Sequence, residues 1–266
     1  MKAFKLIALA VLLGSAAAQA ATLKGPEEKA APKVVSAHEA AEMAGDRIYF
    51  GTASSMPGAL LDAVRDHAMT KDGKTEAYFM STSAAKQNFT AEVSKKFHSN
   101  LLFVSAGNRE AAQVGDATRI RDDLFHLSQR IHSGEFGFDT VIVRVSPPDE
   151  NGNVSFGPTG DLTMHAVEQV LARGGKVIAE VNPNVPFTDG HNALPYAKLS
   201  AVVESQEPLP ELMQAAPLLP EQLIARNVAK LIPNRSRSTL QVGIGEGRPD
   251  SPNSNGLGWG RFEVAP

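Results

Sequence analysis

Along this chain the spacing of hydrophobic positions switches back and forth between two periods. From about residue 45, short β-branched runs alternate with longer stretches in which apolar residues recur at helical spacing. The short runs predict strands at Arg47–Thr52, Ala77–Ser81, Asn100–Ser105, Thr140–Val145, Lys176–Val181, Ala201–Glu204 and Thr239–Ile244. The longer stretches predict helices at Pro57–Ala68, Ala84–Phe97, Arg121–His132, Leu162–Arg173 and Glu221–Ile232. Runs such as "TVIVRV" and "KVIAEV" are almost continuously apolar, as strands covered on both faces must be. Alternation of such strands with helices predicts an α/β fold: an open, mainly parallel sheet with helices on both faces, in a single domain.

Local signals support the helices. Asp161 can cap the helix that starts at Leu162, and Gly174-Gly175 can end it. Leu223, Ile224, Val228, Leu231 and Ile232 form one stripe closed by Pro233, which is expected to pack in the core. Two loops stand out. "SPPDENGNVSFG" follows Thr140–Val145, and "NPNVPFTDGHNALP" follows Lys176–Val181. Both leave the carboxyl end of a predicted parallel strand, the edge at which open α/β sheets bind ligands, although the same residue types also make ordinary turns. A third run, Leu240–Ile244, drops into Gly243, Gly245 and Gly247, where bare backbone amides become available to a ligand.

Composition changes this picture in three places. Lys2 and Lys5 precede the apolar run Leu6–Leu13 and the small-x-small site Ala18-Gln19-Ala20, which together read as a secretory leader. The run is too short to span a membrane, and no later segment approaches the roughly 20 residues required. Cleavage after Ala20 leaves 24 basic against 29 acidic side chains, a balance that does not suit nucleic acid. Cysteine is absent, so disulfides, thiol catalysis and thiolate metal sites are excluded. The expected organisation is a signal peptide at 1–20, a linker and lead-in at 21–44, the α/β domain at 45–245 and a polar tail at 246–266. The expected location is outside the cytoplasm, in a bacterial periplasm.

Familiar catalytic signatures are missing. No His-Glu-x-x-His occurs, and His126 and His132, six apart, would face different ways on one helix, so no metal is expected. No Gly-x-Ser-x-Gly elbow offers a serine nucleophile. The glycines at 243–247 fit neither a dinucleotide fingerprint nor a phosphate-binding P-loop.

Taken in order, however, the loops carry a resemblance. "FDTVIVRVSPPDENGNVSFGPTGD", "KVIAEVNPNVPFTDGH", "AVVESQEPLPE" and "IARNVAKLIPNRSRSTLQVGIG" resemble the amino-terminal half of the acetyl-CoA hydrolase/transferase family, which includes acetate and 4-hydroxybutyrate CoA-transferases. Ser146, Pro147, Asp149 and Gly152 match its V-S-P-x-D-x-x-G strand end. Glu180, Val181, Asn182, Pro186 and Gly190 match E-V-N-x-x-x-P-x-x-x-G, and Leu240, Gln241, Gly243, Ile244 and Gly245 match L-Q-x-G-I-G. "GTASSMPGALLDAV" looks like the family's early glycine loop and Pro-started helix.

The resemblance implies thioester chemistry with coenzyme A as substrate and no separate cofactor. In this family a glutamate carboxylate attacks an acyl-CoA carbonyl, giving an anhydride and then an enzyme-bound CoA thioester, which is resolved by a second carboxylate or by water. It also implies that Ser146, Pro147, Asp149, Asn182, Pro186, Gly190, Gly243 and Gly245 face substrate; Ser146, Asn182 and Gly243 are expected to lie near one another because each follows a predicted parallel strand and such strand ends share one edge. Family members continue into a second α/β domain that brings the glutamate. Here "LGWGRFEV" resembles the glutamate segment only faintly, leaving Glu263, out of register by one, as the catalytic candidate, with a plain exposed terminal glutamate as the alternative. The expected function is therefore acyl-CoA hydrolysis or CoA transfer to a small carboxylate, completed by a second domain, a CoA-transferase-like subunit or a homo-oligomeric partner. The alternatives are a non-catalytic exported domain that binds a small carboxylate or CoA-like ligand, and a truncated product with a fold but no activity.

Overall fold

The structure is a computed structural model, and it describes residues 31–80, 86–105, 107–210 and 218–232. Its strands are β1 (Lys33–Val34), β2 (Arg47–Phe50), β3 (Thr75–Phe79), β4 (Phe97–Leu101), β5 (Ala117–Arg119), β6 (Thr140–Val145), β7 (Asn153–Ser155), β8 (Lys176–Val181), β9 (Ala193–Pro195) and β10 (Ala201–Glu204). Its α-helices are α1 (Ala37–Met43), α2 (Gly58–Thr70), α3 (Ala91–Ser94), α4 (Arg109–Val114), α5 (Leu124–His132), α6 (Thr163–Ala172) and α7 (Leu219–Leu231).

Eight strands form one sheet in the order β1-β10-β8-β6-β2-β3-β4-β5, and every pairing within it is parallel. Successive residues point to opposite faces, and each face has its own core. Tyr49, Val141, Val143, Val145, Val177 and Ala179 pack with Leu127 and Ile131 of α5 and Val167 and Val170 of α6. Ile48, Phe50, Phe79, Ile142 and Ile178 pack on the other side with Ala40 of α1 and Leu60, Leu61 and Val64 of α2. The expected two-faced α/β architecture is the observed one.

Strand order reverses between β2 and β6. From β2 the chain builds outward through β3, β4 and β5, and from β6 it builds the opposite way through β8 and β10. All strands being parallel, their carboxyl ends share one edge, and the reversal opens a crevice there. A small antiparallel ribbon, β7 with β9, stands over that edge.

Four sequence expectations change. The expected helix Ala84–Phe97 is a short 3₁₀ turn at Lys86–Phe89 followed by α3, whose cap Thr90 accepts from the Val93 amide; Phe97 is fully buried as the first residue of β4. Strands β3 and β4 begin two or three residues earlier than expected. The lead-in assigned to 21–44 joins the fold from Lys33. There β1 pairs with β10, Ser36 and Glu39 form a reciprocal capping box, and Ala40 and Ala41 are buried. Lastly, the stripe on α7 is not core, since Leu223, Ile224 and Leu231 are exposed. The strand expected at Thr239–Ile244 and the tail at 246–266 lie outside the described residues.

Candidate functional site at the strand ends

The segment after β2 is built to stay close to the sheet. Gly51 donates its amide to the Ile142 carbonyl at 2.8 Å, and a Cβ there would lie 2.4 Å from the Ser55 carbonyl oxygen, so only glycine fits. Ala53 takes a left-handed conformation, φ 47°, costly for a residue with a side chain. The strained turn is clamped from above. Ser55 Oγ donates to the Phe156 carbonyl at 2.5 Å and lies 2.6 Å from Thr159 Oγ1, while Thr159 Oγ1 donates to the Thr52 carbonyl at 3.1 Å. Thr52 Oγ1 in turn donates to Asp161 Oδ1 at 3.2 Å, and Asp161 accepts from the Thr163 amide at 3.3 Å; the helix begins one residue later than expected, so Leu162 and not Asp161 occupies the cap position.

The residues picked out from sequence after β6 and β8 hold the other two loops. Val145 and Val181 are register partners, so Ser146 and Asn182 leave neighbouring strands side by side, and the Asn182 amide donates to the Val145 carbonyl at 2.9 Å. Both residues are buried. Ser146 Oγ accepts from the Ser155 amide at 3.0 Å and donates to the Pro147 carbonyl at 2.9 Å. Asn182 Nδ2 donates to the Glu207 carbonyl at 2.9 Å, and its Oδ1 accepts from the Asn184 amide at 2.9 Å. Asp149 Oδ1 accepts from the Asn151 and Asn153 amides, closing a turn on Gly152 at φ 74°. Pro147, Pro186 and Gly190 are exposed. Of the expected trio, Ser146 and Asn182 come together; Gly243 lies outside the described residues, as do Gly245 and Glu263.

Beneath these loops sits a group that sequence reading passed over as chemistry. Arg144 and Glu180 face each other in register on β6 and β8. Arg144 Nε donates to Glu180 Oε1 at 2.5 Å, and Nη2 donates to Glu207 Oε2 at 2.8 Å. The Arg144 and Glu180 side chains are 4% and 0% exposed, whereas that of Glu207 is 51% exposed. Burial pushes the Glu180 carboxyl above the ordinary carboxylate range, with the Arg144 guanidinium acting against it. A Cβ on Gly58 would lie 3.7 Å from Glu207 Oε2, so the Glu207 carboxylate also rests near the first turn of α2, where the helix dipole favours it. One arginine thus ties strands β6 and β8 to the segment after β10 and sets a half-exposed carboxylate at the crevice.

Farther along the same edge, beyond β4 and β5, lies an open cleft of about 1050 Å³ lined by Phe103, Arg109, Gln113, Arg119, Arg121 and Asp122 among others. Asp122 is already bound to Arg130 at 3.1 Å, while Arg109, Arg119 and Arg121 have no carboxylate partner among the described residues. Three uncompensated guanidinia beside a 49%-exposed phenylalanine make a cationic cleft with an aromatic wall.

Comparison with known proteins agrees with the fold. Residues 22–212 match the model of the acetyl-CoA hydrolase/transferase N-terminal domain. A 4-hydroxybutyrate coenzyme A transferase of Clostridium kluyveri is 30% identical over 200 residues, which cover 75% of this chain and 45% of that protein. A succinyl-CoA:acetate/propanoyl-CoA:succinate CoA transferase of Fasciola hepatica is 24% identical, covering 76% and 41%. RipA from Yersinia pestis superposes with a TM-score of 0.68 at 24% identity, covering 76% of this chain and 48% of that one. A 4-hydroxybutyrate CoA-transferase from Porphyromonas gingivalis superposes at 0.54 and 25% identity, covering 75% and 46%. The chain spans less than half the length of these relatives. On the extent of the family match, this chain belongs to the acetyl-CoA hydrolase/transferase family, through its N-terminal domain.

Proposed function

We propose that this chain forms the substrate-positioning half of an acyl-CoA thioester enzyme, hydrolysing acyl-CoA or moving CoA to a small carboxylate together with a glutamate-bearing half drawn from outside the described residues. The observation that carries the reading is the crevice between β2 and β6, walled by the strained Gly51–Pro57 turn on one side and the Ser146 and Asn182 loops on the other. Its walls are fixed by hydrogen bonds that exist before any substrate arrives. Preorganisation of this kind is what a weak carboxylate nucleophile needs, because positioning must supply most of the rate.

Charge supports the same reading. The arginine cleft, beyond β4 and β5, lies three to four strand spacings from β6, roughly 14–19 Å. An extended CoA molecule can bridge them, its thioester over β6 and its phosphates among Arg109, Arg119 and Arg121. The relatives named for CoA transfer to 4-hydroxybutyrate and to short carboxylic acids suggest the acyl class. We propose export as well, from the leader pattern at 1–20, and an amino terminus at Ala21 in protein recovered from outside the cytoplasm checks this by mass spectrometry.

A second reading, a non-catalytic domain that binds CoA-like ligands, draws on a specific observation: Ser146, Asp149 and Asn182 spend their hydrogen-bonding groups on their own loops. Thermal-shift measurement with CoA, acetyl-CoA, acetate and succinate tests what both readings share, since a ligand that binds only the native state raises the melting temperature. No response to CoA or acetyl-CoA would remove both.

A further inference from the structure

Outside the residues given a role above, three side chains from two helices converge. His132 closes α5, and His165 and Glu168 stand one turn apart on the same face of α6. One ligand atom from each of the three lies within 4.8 Å of the other two. Glu168 is further held by His191, whose Nε2 is 3.0 Å from Glu168 Oε1. Beside them, His132, Gly134, Glu168 and Gln169 line a cleft of about 360 Å³. Gln169 is only 6% exposed, and among the described residues neither its amide nitrogen nor its amide oxygen has a partner. A polar guest in the cleft would find a donor and an acceptor there that are costly to leave unpaired.

We propose that His132, His165 and Glu168 bind a divalent transition-metal ion, with zinc as the expected occupant. Two imidazoles and a carboxylate suit zinc, which takes nitrogen at about 2.0–2.1 Å and oxygen at about 2.0–2.2 Å and leaves a fourth position for water. Such bonds need ligand atoms a little over 3 Å apart, which small side-chain rotations provide from the observed separation. His191, whose Nε2 lies 3.0 Å from Glu168 Oε1, stands where an outer partner that orients a ligand would. Bound metal would join the end of α5 to α6 and, through His191, to the loop after β8.

A second acidic–histidine group, Asp122, Asp123 and His126, also gathers ligand atoms within 4.8 Å, but its members are already engaged. His126 Nδ1 lies 2.7 Å from Asp123 Oδ2, and Arg130 holds Asp122. All three are exposed, and they sit around the start of one helix. It serves as an internal control.

The test is titration of zinc into the full chain, purified without an affinity tag and stripped with chelator. Zinc at about a hundredfold above its dissociation constant is expected to raise the melting temperature by about 5–10 °C. Cobalt substituted for zinc is expected to give visible absorption of a low-coordinate ion. His132→Ala, His165→Ala and Glu168→Gln should each lower zinc affinity at least tenfold. These three side chains are at least partly exposed, so the metal-free variants should melt close to the parent. His126→Ala should bind as the parent does. Absence of saturable binding, or equal binding in the parent and His165→Ala, would overturn the assignment.

Discussion

Arg144 and Glu180 stand in register on adjacent parallel strands, joined by a 2.5 Å hydrogen bond from Nε to Oε1 with both side chains withdrawn from water. Removing the arginine alone strands a buried carboxylate. Arg144→Met is therefore expected to destabilise the chain by about 3–5 kcal/mol, whereas replacing both partners with apolar residues should cost much less.

The same pair fixes the sign of a pH effect. Glu180 titrates above its ordinary value of 4.5 in the folded state, because burial disfavours its charge. The folded chain therefore holds more protons than the unfolded chain between 4.5 and the raised value. The contribution of this group to stability is greatest below 4.5 and declines as pH rises through that window. Without Arg144 the window extends upward. The deficit of Arg144→Met should be smaller at pH 5 than at pH 8, as measured by urea unfolding; a deficit that grows on acidification would contradict the assignment of burial as the cause.

Asn182 joins three strand ends through its side chain and amide, reaching Val145, Asn184 and Glu207. Asn182→Ala would leave the Glu207 carbonyl and the Asn184 amide without their partner. A loss of about 1–3 kcal/mol is expected from unpaired polar groups of this kind. Asp149→Ala, at a more exposed turn, should cost less. Chemical denaturation of the two variants ranks them, and equal losses would show that burial does not set the scale here.

How much of this was readable in the sequence follows from burial. The apolar runs predict β6, β8 and β10 to the residue, because a strand covered on both faces leaves a near-continuous apolar run. The region before β4 misled. Phe89, Val93 and Phe97 recur every four residues and imitate one helix, yet Phe97 belongs to the sheet. The edge strand β5 is three residues long with only Ala117 buried, too little pattern to detect. Helix α1 carries a readable signal in Ser36-x-x-Glu39, the pattern of a capping box. The loop residues were legible as a set, but not their roles, since turn chemistry and ligand chemistry draw on the same side chains. Arg144 with Glu180, and His132 with His165, are separated by 36 and 33 positions, so only the fold reveals either contact.

The arginine cleft makes a prediction about phosphate. Arg109, Arg119 and Arg121 lack carboxylate partners among the described residues, so removing any one leaves no charge orphaned in the protein. Hydrogen bonds to charged groups contribute about 1.5–3 kcal/mol, and each tenfold in affinity is about 1.4 kcal/mol. Arg119→Ala or Arg121→Ala should therefore weaken binding of CoA and of adenosine 3′,5′-bisphosphate at least tenfold by calorimetry, with melting temperature unchanged. Pantetheine, which lacks those phosphates, should bind parent and variants alike. Equal CoA affinity in all of them would move the phosphates elsewhere while leaving the thioester crevice untouched.

Catalysis by the isolated chain is the sharpest test of the division of labour. Among the carboxylates at the described strand ends, Asp149 Oδ1 accepts two amides of its own loop, Asp161 Oδ1 accepts from Thr52 and Thr163, and the half-exposed Glu207 has its Oε2 held by Arg144 at 2.8 Å. A carboxylate so held has its electron density drawn toward a guanidinium, which makes it a weaker nucleophile than a free one. Glu180 is fully buried and cannot meet a thioester. Effective molarities of about 10⁵ M or more arise only when an attacking atom is held near its target. The 266-residue chain alone is therefore expected to release no thiol from acetyl-CoA above background, with or without acetate or succinate, and Glu263→Ala and Glu207→Gln should not change that result. Thiol release in the parent that Glu263→Ala abolishes would identify that residue as the nucleophile, and release abolished by Glu207→Gln would transfer the role to the carboxylate at the crevice.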